Sequence, residues 1–194
     1  MSLQVVAIGA SLGGLSAIEM LLEALPRTYP AAVVIAQHRR ADAGSRLLEL
    51  LRSHSALPVS EPEDKQPLEP GHVYLAPPNY HMLVELGLLA LSIDPPVAFA
   101  RPSIDVLFES VADAYGPRAL AVVLTGSNHD GAAGAAAIKR QGGVVLVQDP
   151  GSAEAPETPS AAIAATRVDA VLRLPALALR LTAIATSTAQ SRKG

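Results

Sequence analysis

Val5-Val6-Ala7-Ile8-Gly9-Ala10-Ser11-Leu12-Gly13-Gly14 decides how the rest of the chain reads. An apolar run of strand character meets a glycine-flanked serine. Residues 15–25 then place Leu15, Ile18, Leu21, Leu22 and Leu25 on one face of a helix. Ser11 therefore sits at a strand-to-helix turn. Gly9-Ala10-Ser11-Leu12-Gly13 fits the G-x-S-x-G nucleophile elbow, whose glycines let the backbone turn sharply and lift a hydroxyl clear of the sheet edge. The free N–H groups and positive dipole end of the following helix suit a tetrahedral oxyanion at the same spot. Two other uses compete: a serine that caps the helix, and a Gly-rich turn that cradles a dinucleotide pyrophosphate.

Outward from this turn, apolar runs alternate with helical patterns. Residues 31–38 form a buried strand that ends abruptly in Gln37-His38, which places His38 on the rim that carries Ser11. A helix is predicted over 43–51, and the charged, Pro-rich 58–70 reads as loop with at most one short strand. A strand at 73–76 precedes an antiparallel hairpin at 82–85 and 88–93. Ser103 caps a helix that buries Ile104, Leu107, Phe108 and Val111 and ends near Gly116-Pro117. The strand at 119–124 runs into Thr125-Gly126-Ser127-Asn128-His129-Asp130-Gly131. Helices at 132–140, 159–165 and 175–186 and strands at 144–147 and 170–172 complete the pattern, with a frayed tail at 188–194. The expected fold is α/β, a doubly wound, mostly parallel sheet with a small antiparallel hairpin and helices on both faces, three-layered and Rossmann-like.

A chain of 194 residues supports one domain with a full core, and 49% hydrophobic against 17% charged residues fits strands buried on both faces. No apolar stretch reaches the roughly 20 residues of a membrane span, and no basic signal region opens the chain, so a soluble cytoplasmic protein is expected. Zero cysteines exclude disulfides and thiolate chemistry. A net charge of −3 with 3% aromatic residues leaves no footprint for nucleic acid.

Serine, histidine and aspartate at the ends of parallel strands are the components of acyl transfer: the imidazole takes the serine proton, and the carboxylate fixes the tautomer. The order Ser11, His38, Asp130 differs from the Ser, Asp, His order of α/β-hydrolases and disfavours an ordinary esterase of that fold. Asp130 before Gly131 also suits an ordinary turn. His129 and His81 are rival bases, although His129 abuts Asp130 in the chain. A dinucleotide enzyme would want an acidic residue near the end of the second strand, where this chain has Gln37-His38.

Several stretches together resemble one family. Gly9-Ala10-Ser11-Leu12-Gly13-Gly14, Gln37-His38, Tyr74-Leu75-Ala76-Pro77 leading to His81, Arg101-Pro102-Ser103-Ile104-Asp105-Val106-Leu107-Phe108, Leu124-Thr125-Gly126 to Asp130-Gly131-Ala132, and Gln148-Asp149 to Pro159 resemble the catalytic domain of the chemotaxis receptor protein-glutamate methylesterases, the CheB family, in the family's order. The resemblance implies Ser11 as nucleophile, His38 as general base and Asp130 as orienting acid. Hydrolysis of glutamate γ-methyl esters on the cytoplasmic helices of methyl-accepting chemotaxis receptors is implied too, with glutamine deamidation as a second activity and no cofactor or metal. Backbone N–H groups of Leu12 and Ser127 are the expected oxyanion donors, and Gln37, Arg39, His81 and Arg101 the expected cleft. Arg39, Arg40 and Arg101 would form a basic rim.

Five positions depart from the family pattern: Leu12 in place of threonine, Arg39 in place of methionine, Ser127 and Asn128 where Gly126-Ser127-Asn128 replaces glycine-methionine-glycine, and Thr158 in place of methionine. They leave room for a catalytically impaired receptor-binding module. The catalytic domain is expected over 1–187 without the family's receiver domain, so that the chain would be either constitutively active or regulated by a separate phosphorylated receiver protein. Geometry is the first check: serine hydroxyl to imidazole and imidazole to carboxylate should each span about 2.6–3.2 Å.

Overall fold

The computed structural model describes residues 3–39 and 46–190, with side chains described through residue 183. Six strands are buried along most or all of their length because apolar residues fill both faces. In chain order the elements are β1 (Val5–Ala10), α1 (Gly14–Glu23), β2 (Ala32–Gln37), α2 (Arg46–Ser53), β3 (Val59–Ser60), β4 (Val73–Leu75), β5 (His81–Glu85) and β6 (Leu88–Ser92). They continue with α3 (Ile104–Tyr115), β7 (Ala119–Val123), α4 (Ala132–Arg140), β8 (Val144–Gln148), α5 (Glu157–Ala165), β9 (Ala170–Leu172) and α6 (Leu174–Gln190).

Seven strands pair in parallel in the order β3-β4-β2-β1-β7-β8-β9, and β5 and β6 form a separate antiparallel hairpin. Alternation along each strand splits the core in two. Val6, Ile8, Val33, Ile35, Leu120 and Val122 pack under α1, α2 and α6. Val5, Ala7, Val34, Ala121, Val123 and Val145 pack under α3, α4, α5 and the hairpin. The chain leaves β1 toward β2 on one side and returns to β7 on the other, so the order reverses beside β1. Open α/β sheets bind ligands at that point, outside the carboxyl ends of the strands.

The three-layer expectation holds, with shifts at element ends. Helix α5 begins at Glu157, two residues before the expected start, because Pro159 falls in the first turn, where a missing N–H costs no helical bond. Helix α2 runs on to Ser53, whose hydroxyl donates to the Leu50 carbonyl; the expected start at 43, like Arg40, lies outside the described residues. Helix α6 continues to Gln190, through part of the expected tail, and 191–194 lie outside the description.

Phe108 of α3 is fully buried and lies against Gly9 of β1 and Gly134 of α4, where neither neighbour has a Cβ to hold it off. Phe108→Ala should destabilise the fold by about 3–5 kcal/mol, read as a lower midpoint in urea unfolding.

Candidate active site

Three neighbouring strands deliver three side chains to one rim. The Ser11 N–H donates to the Thr125 carbonyl at 2.9 Å and the His38 N–H to the Ala10 carbonyl at 3.0 Å, tying the ends of β1, β2 and β7 together. Ser11 Oγ lies 3.1 Å from Nδ1 of His38, and Nε2 of His38 lies 2.7 Å from Oδ2 of Asp130. Both spans meet the expected range. A carboxylate only accepts, so Nε2 carries the proton it donates to Asp130, and Nδ1 is left as the acceptor for the serine hydroxyl.

Ser11 is no helix cap. Gly13 occupies that position in α1, with no side-chain cap bond and a φ of 74° that a residue with a Cβ rarely adopts. The Gln37 carboxamide buttresses the turn by donating to the carbonyls of Ser11 (2.8 Å) and His38 (3.0 Å). Gly126 brings the β7 loop against the serine: a Cβ there would meet Ser11 Cβ at 2.8 Å. Neither the Leu12 nor the Ser127 N–H is bonded to another described residue, so both are free to donate to an oxyanion.

Asp130 is completely buried, yet four donors reach it: His38 Nε2, the N–H groups of Ile104 (2.7 Å) and Asp105 (2.9 Å), and the Ser103 hydroxyl (2.8 Å). Burial pushes its pKa up, but the bonds from His38, the Asp105 and Ile104 N–H groups and Ser103 together outweigh burial and hold it below the ordinary value. The N-terminus of α3 thus keeps the carboxylate ionised beside the imidazole. Asp105 returns the favour to α4: its Oδ1 accepts from Gly131 (2.9 Å) and Gly134 (2.7 Å). Each aspartate caps the helix that follows the other.

The departures fit one another. Thr158 donates to the Asn128 carbonyl at 2.7 Å, and its own N–H bonds the Gly126 carbonyl at 2.9 Å. Asn128 Oδ1 accepts the Asp130 N–H at 3.2 Å, and its Nδ2 lies 3.5 Å from His38 Nδ1.

Pockets open on both sides of His38. One, of about 390 Å³, is lined by residues 11–16 with Gln37. The other, of about 490 Å³, is lined by Arg39, Asn79, Phe99, Arg101 and Asn128 among others. Arg39 and Arg101 therefore border this pocket, the Arg39 side chain buried and Arg101 half-buried. Arg39 is turned inward onto Glu61 and the Ala76 carbonyl, and Arg101 donates to the Ile93 and Asp94 carbonyls at 2.8 and 3.0 Å.

His81 departs from its expected place in the cleft: it is 1% exposed, bonds the Pro95 carbonyl through Nε2 and accepts the Ser103 N–H at Nδ1. It opens β5 on the face shared with half-buried Leu83 and exposed Glu85, so its burial comes from the segment running from Pro95 to Ser103 that it bonds. His129 is exposed, borders a groove between α4 and α5, and is not among the partners of Asp130. Among the described residues no cluster of three or more His, Asp or Glu is arranged to hold a metal ion.

Sequence reasoning read Ser103 as a helix cap, which it is, at 3.3 Å from the Val106 N–H. It missed the second bond to Asp130, the bonds from Asp105 to the start of α4, and the presence of Asn79 and Phe99 in the wall of the pocket beside His38. A serine and two aspartates in capping positions were the available signal; Phe99 gave none.

The family model for CheB methylesterase matches residues 6–181. The chain belongs to the CheB methylesterase family. The crystal structure of the Thermotoga maritima CheB methylesterase catalytic domain superposes with a TM-score of 0.89 at 31% identity, covering 95% of this chain and 100% of that one. A relative from Leptospira interrogans is 41% identical over 179 residues, 92% of this chain and 93% of its own. A Myxococcus xanthus relative named protein-glutamate methylesterase/protein-glutamine glutaminase 4 is 42% identical over 179 residues, but this chain spans only 51% of its length.

Within this CheB-type site, Asp105 has a pH signature of its own. Burial raises its carboxyl to about 6; the Gly134 N–H opposes this, the Asp130 charge adds to it, the Gly131 N–H opposes it and the Glu109 charge adds again. The raised value means that the folded chain holds this proton more tightly than the unfolded chain, so its contribution to stability is present at low pH and fades as pH rises from about 4 to about 6. Asp105→Asn keeps the acceptor for α4 and cannot ionise. Its melting temperature should rise relative to the parent chain across that window, and a pH-independent difference between the two melts would contradict the assignment.

Proposed function

We propose that this chain is a serine hydrolase that demethylates glutamate γ-methyl esters on the cytoplasmic helices of methyl-accepting chemotaxis receptors. The observation that carries this reading is the row Ser11–His38–Asp130 on the carboxyl rim of a family-matched sheet. The relatives' names add glutaminase activity to methylesterase activity, and the same row would serve both, with ammonia leaving in place of methanol.

Ser11 Oγ attacks the ester carbonyl carbon as His38 Nδ1 takes its proton. Asp130, acting through Nε2, stabilises the imidazolium that forms. The Leu12 and Ser127 N–H groups receive the oxyanion, each worth about 100- to 1,000-fold in rate. Collapse expels the methoxy group, which takes the proton from Nδ1 and departs as methanol. Water then attacks the acyl-enzyme while Nδ1 takes its proton and returns it to Ser11, leaving a glutamate side chain. Arg39 and Arg101 form the cleft wall on the His38 side. No helix among the described residues is long and apolar enough to cross a membrane, and the receptor helices to be served are cytoplasmic, so the reaction belongs there.

Ser11→Ala should lower methanol release from methylated receptor by at least ~10⁴-fold with the fold intact. Asp130→Asn should cost on the order of 10⁴-fold by releasing the wrong tautomer. Methanol release equal to the parent chain in the Ser11 variant would end the proposal.

A further inference from the structure

The loop between β6 and α3 carries a feature that packing does not explain. Val97 and Ala100 exchange both backbone hydrogen bonds, at 3.1 and 2.9 Å, which closes a two-residue hairpin over Ala98-Phe99. Both central residues have positive φ, 47° and 62°. Such a turn favours Asn-Gly, because a side chain in the left-handed region crowds its own backbone. This chain spends the strain on a phenylalanine that is fully exposed, while its other phenylalanine, Phe108, is fully buried.

The turn is also held in place. Arg101 grips the Ile93 and Asp94 carbonyls, and buried His81 links the Pro95 carbonyl to the Ser103 N–H at the cap of α3. Ser103 in turn bonds Asp130, so the turn and the carboxylate share one support. Pro96, Ala98, Phe99 and Ala100 line the same pocket as His38 and Asn128. An exposed aromatic on a hydrogen-bonded turn, lining the same pocket as the reactive imidazole, has the properties of an interface anchor: a large apolar area with few side-chain rotors to fix.

We propose that Phe99, presented by the strained Ala98-Phe99 turn, is a specificity-determining contact that packs on the apolar face of the helical protein substrate next to the scissile ester. This rests on the methylesterase reading and goes beyond it, since the triad alone would accept any small ester that reached Ser11. Continuity of the turn with the His38 pocket is what commits the surface to substrate.

The test compares kcat/KM on a methylated receptor cytoplasmic domain with kcat/KM on p-nitrophenyl acetate, alongside melting temperature. Ala98→Asn/Phe99→Gly should lower the receptor-to-small-ester ratio about tenfold, mainly through KM, because losing an anchor removes binding shared by ground and transition states. The same variant should melt a few degrees higher, because Asn-Gly relieves the turn. Phe99→Leu, which keeps an apolar contact, should fall between the two. A ratio within about twofold of the parent chain, or a ratio and melting temperature that fall together, would overturn the proposal. Absence of methanol release by the parent chain, with p-nitrophenyl acetate still hydrolysed, would instead overturn the methylesterase reading.

Discussion

A buried carboxylate with no exposure to water survives here because a helix is built to receive it. Two consecutive N–H groups at the start of α3, the Ser103 hydroxyl and the His38 imidazole saturate Asp130. Removing one partner from a buried charge is expensive, so the position of α3 and the state of the active site are one constraint. Asp105 closes the arrangement by capping α4 from the other side. Helices α3 and α4, which flank the α3-side core, therefore meet end to end through reciprocal caps as well as through apolar packing.

The same coupling extends through β1. Backbone bonds from Ser11 to Thr125 and from His38 to Ala10 mean that the nucleophile and base move only if three central strands move. Those strands sit between two apolar cores, and packing that dense resists displacement. Gly13 and Gly126 answer the two places where this rigidity leaves no room: one for the αL cap of α1, the other for loop and serine to approach. Catalytic geometry thus follows from strand pairing, with side chains needing little freedom of their own.

Much of this was legible in the chain because the signals are local. Apolar runs ending in Ser11, His38 and the Asp130 loop marked the carboxyl rim, and Ser103 marked a helix start. What stayed hidden depends on distant pairing. The burial of His81 follows from the Pro95 carbonyl and the Ser103 N–H closing on it, 14 and 22 residues away, and the inward turn of Arg39 needs Glu61, 22 residues away. Pro159 placed the expected start of α5 two residues late, although Pro in a first turn is well tolerated and the helix begins at Glu157. Phe99 carried no pattern at all, since an isolated aromatic in a Pro-rich loop reads the same whether it is packed or presented.

The departures from the family pattern show how a site tolerates change at several positions together. Asn128 and Thr158 lie 30 residues apart in sequence, yet the threonine hydroxyl bonds the asparagine carbonyl and the asparagine side chain bonds the Asp130 N–H. The threonine bond goes to a backbone carbonyl that any residue at 128 would supply, and the Asn128 side chain adds the separate bond to the Asp130 N–H. Changed together, Asn128 and Thr158 replace side-chain packing with hydrogen bonds that fix the loop carrying the Ser127 N–H. Polar substitution around this nucleophile therefore argues for a loop held in place by different means, and against the inert binding module that the same residues suggested when read one at a time.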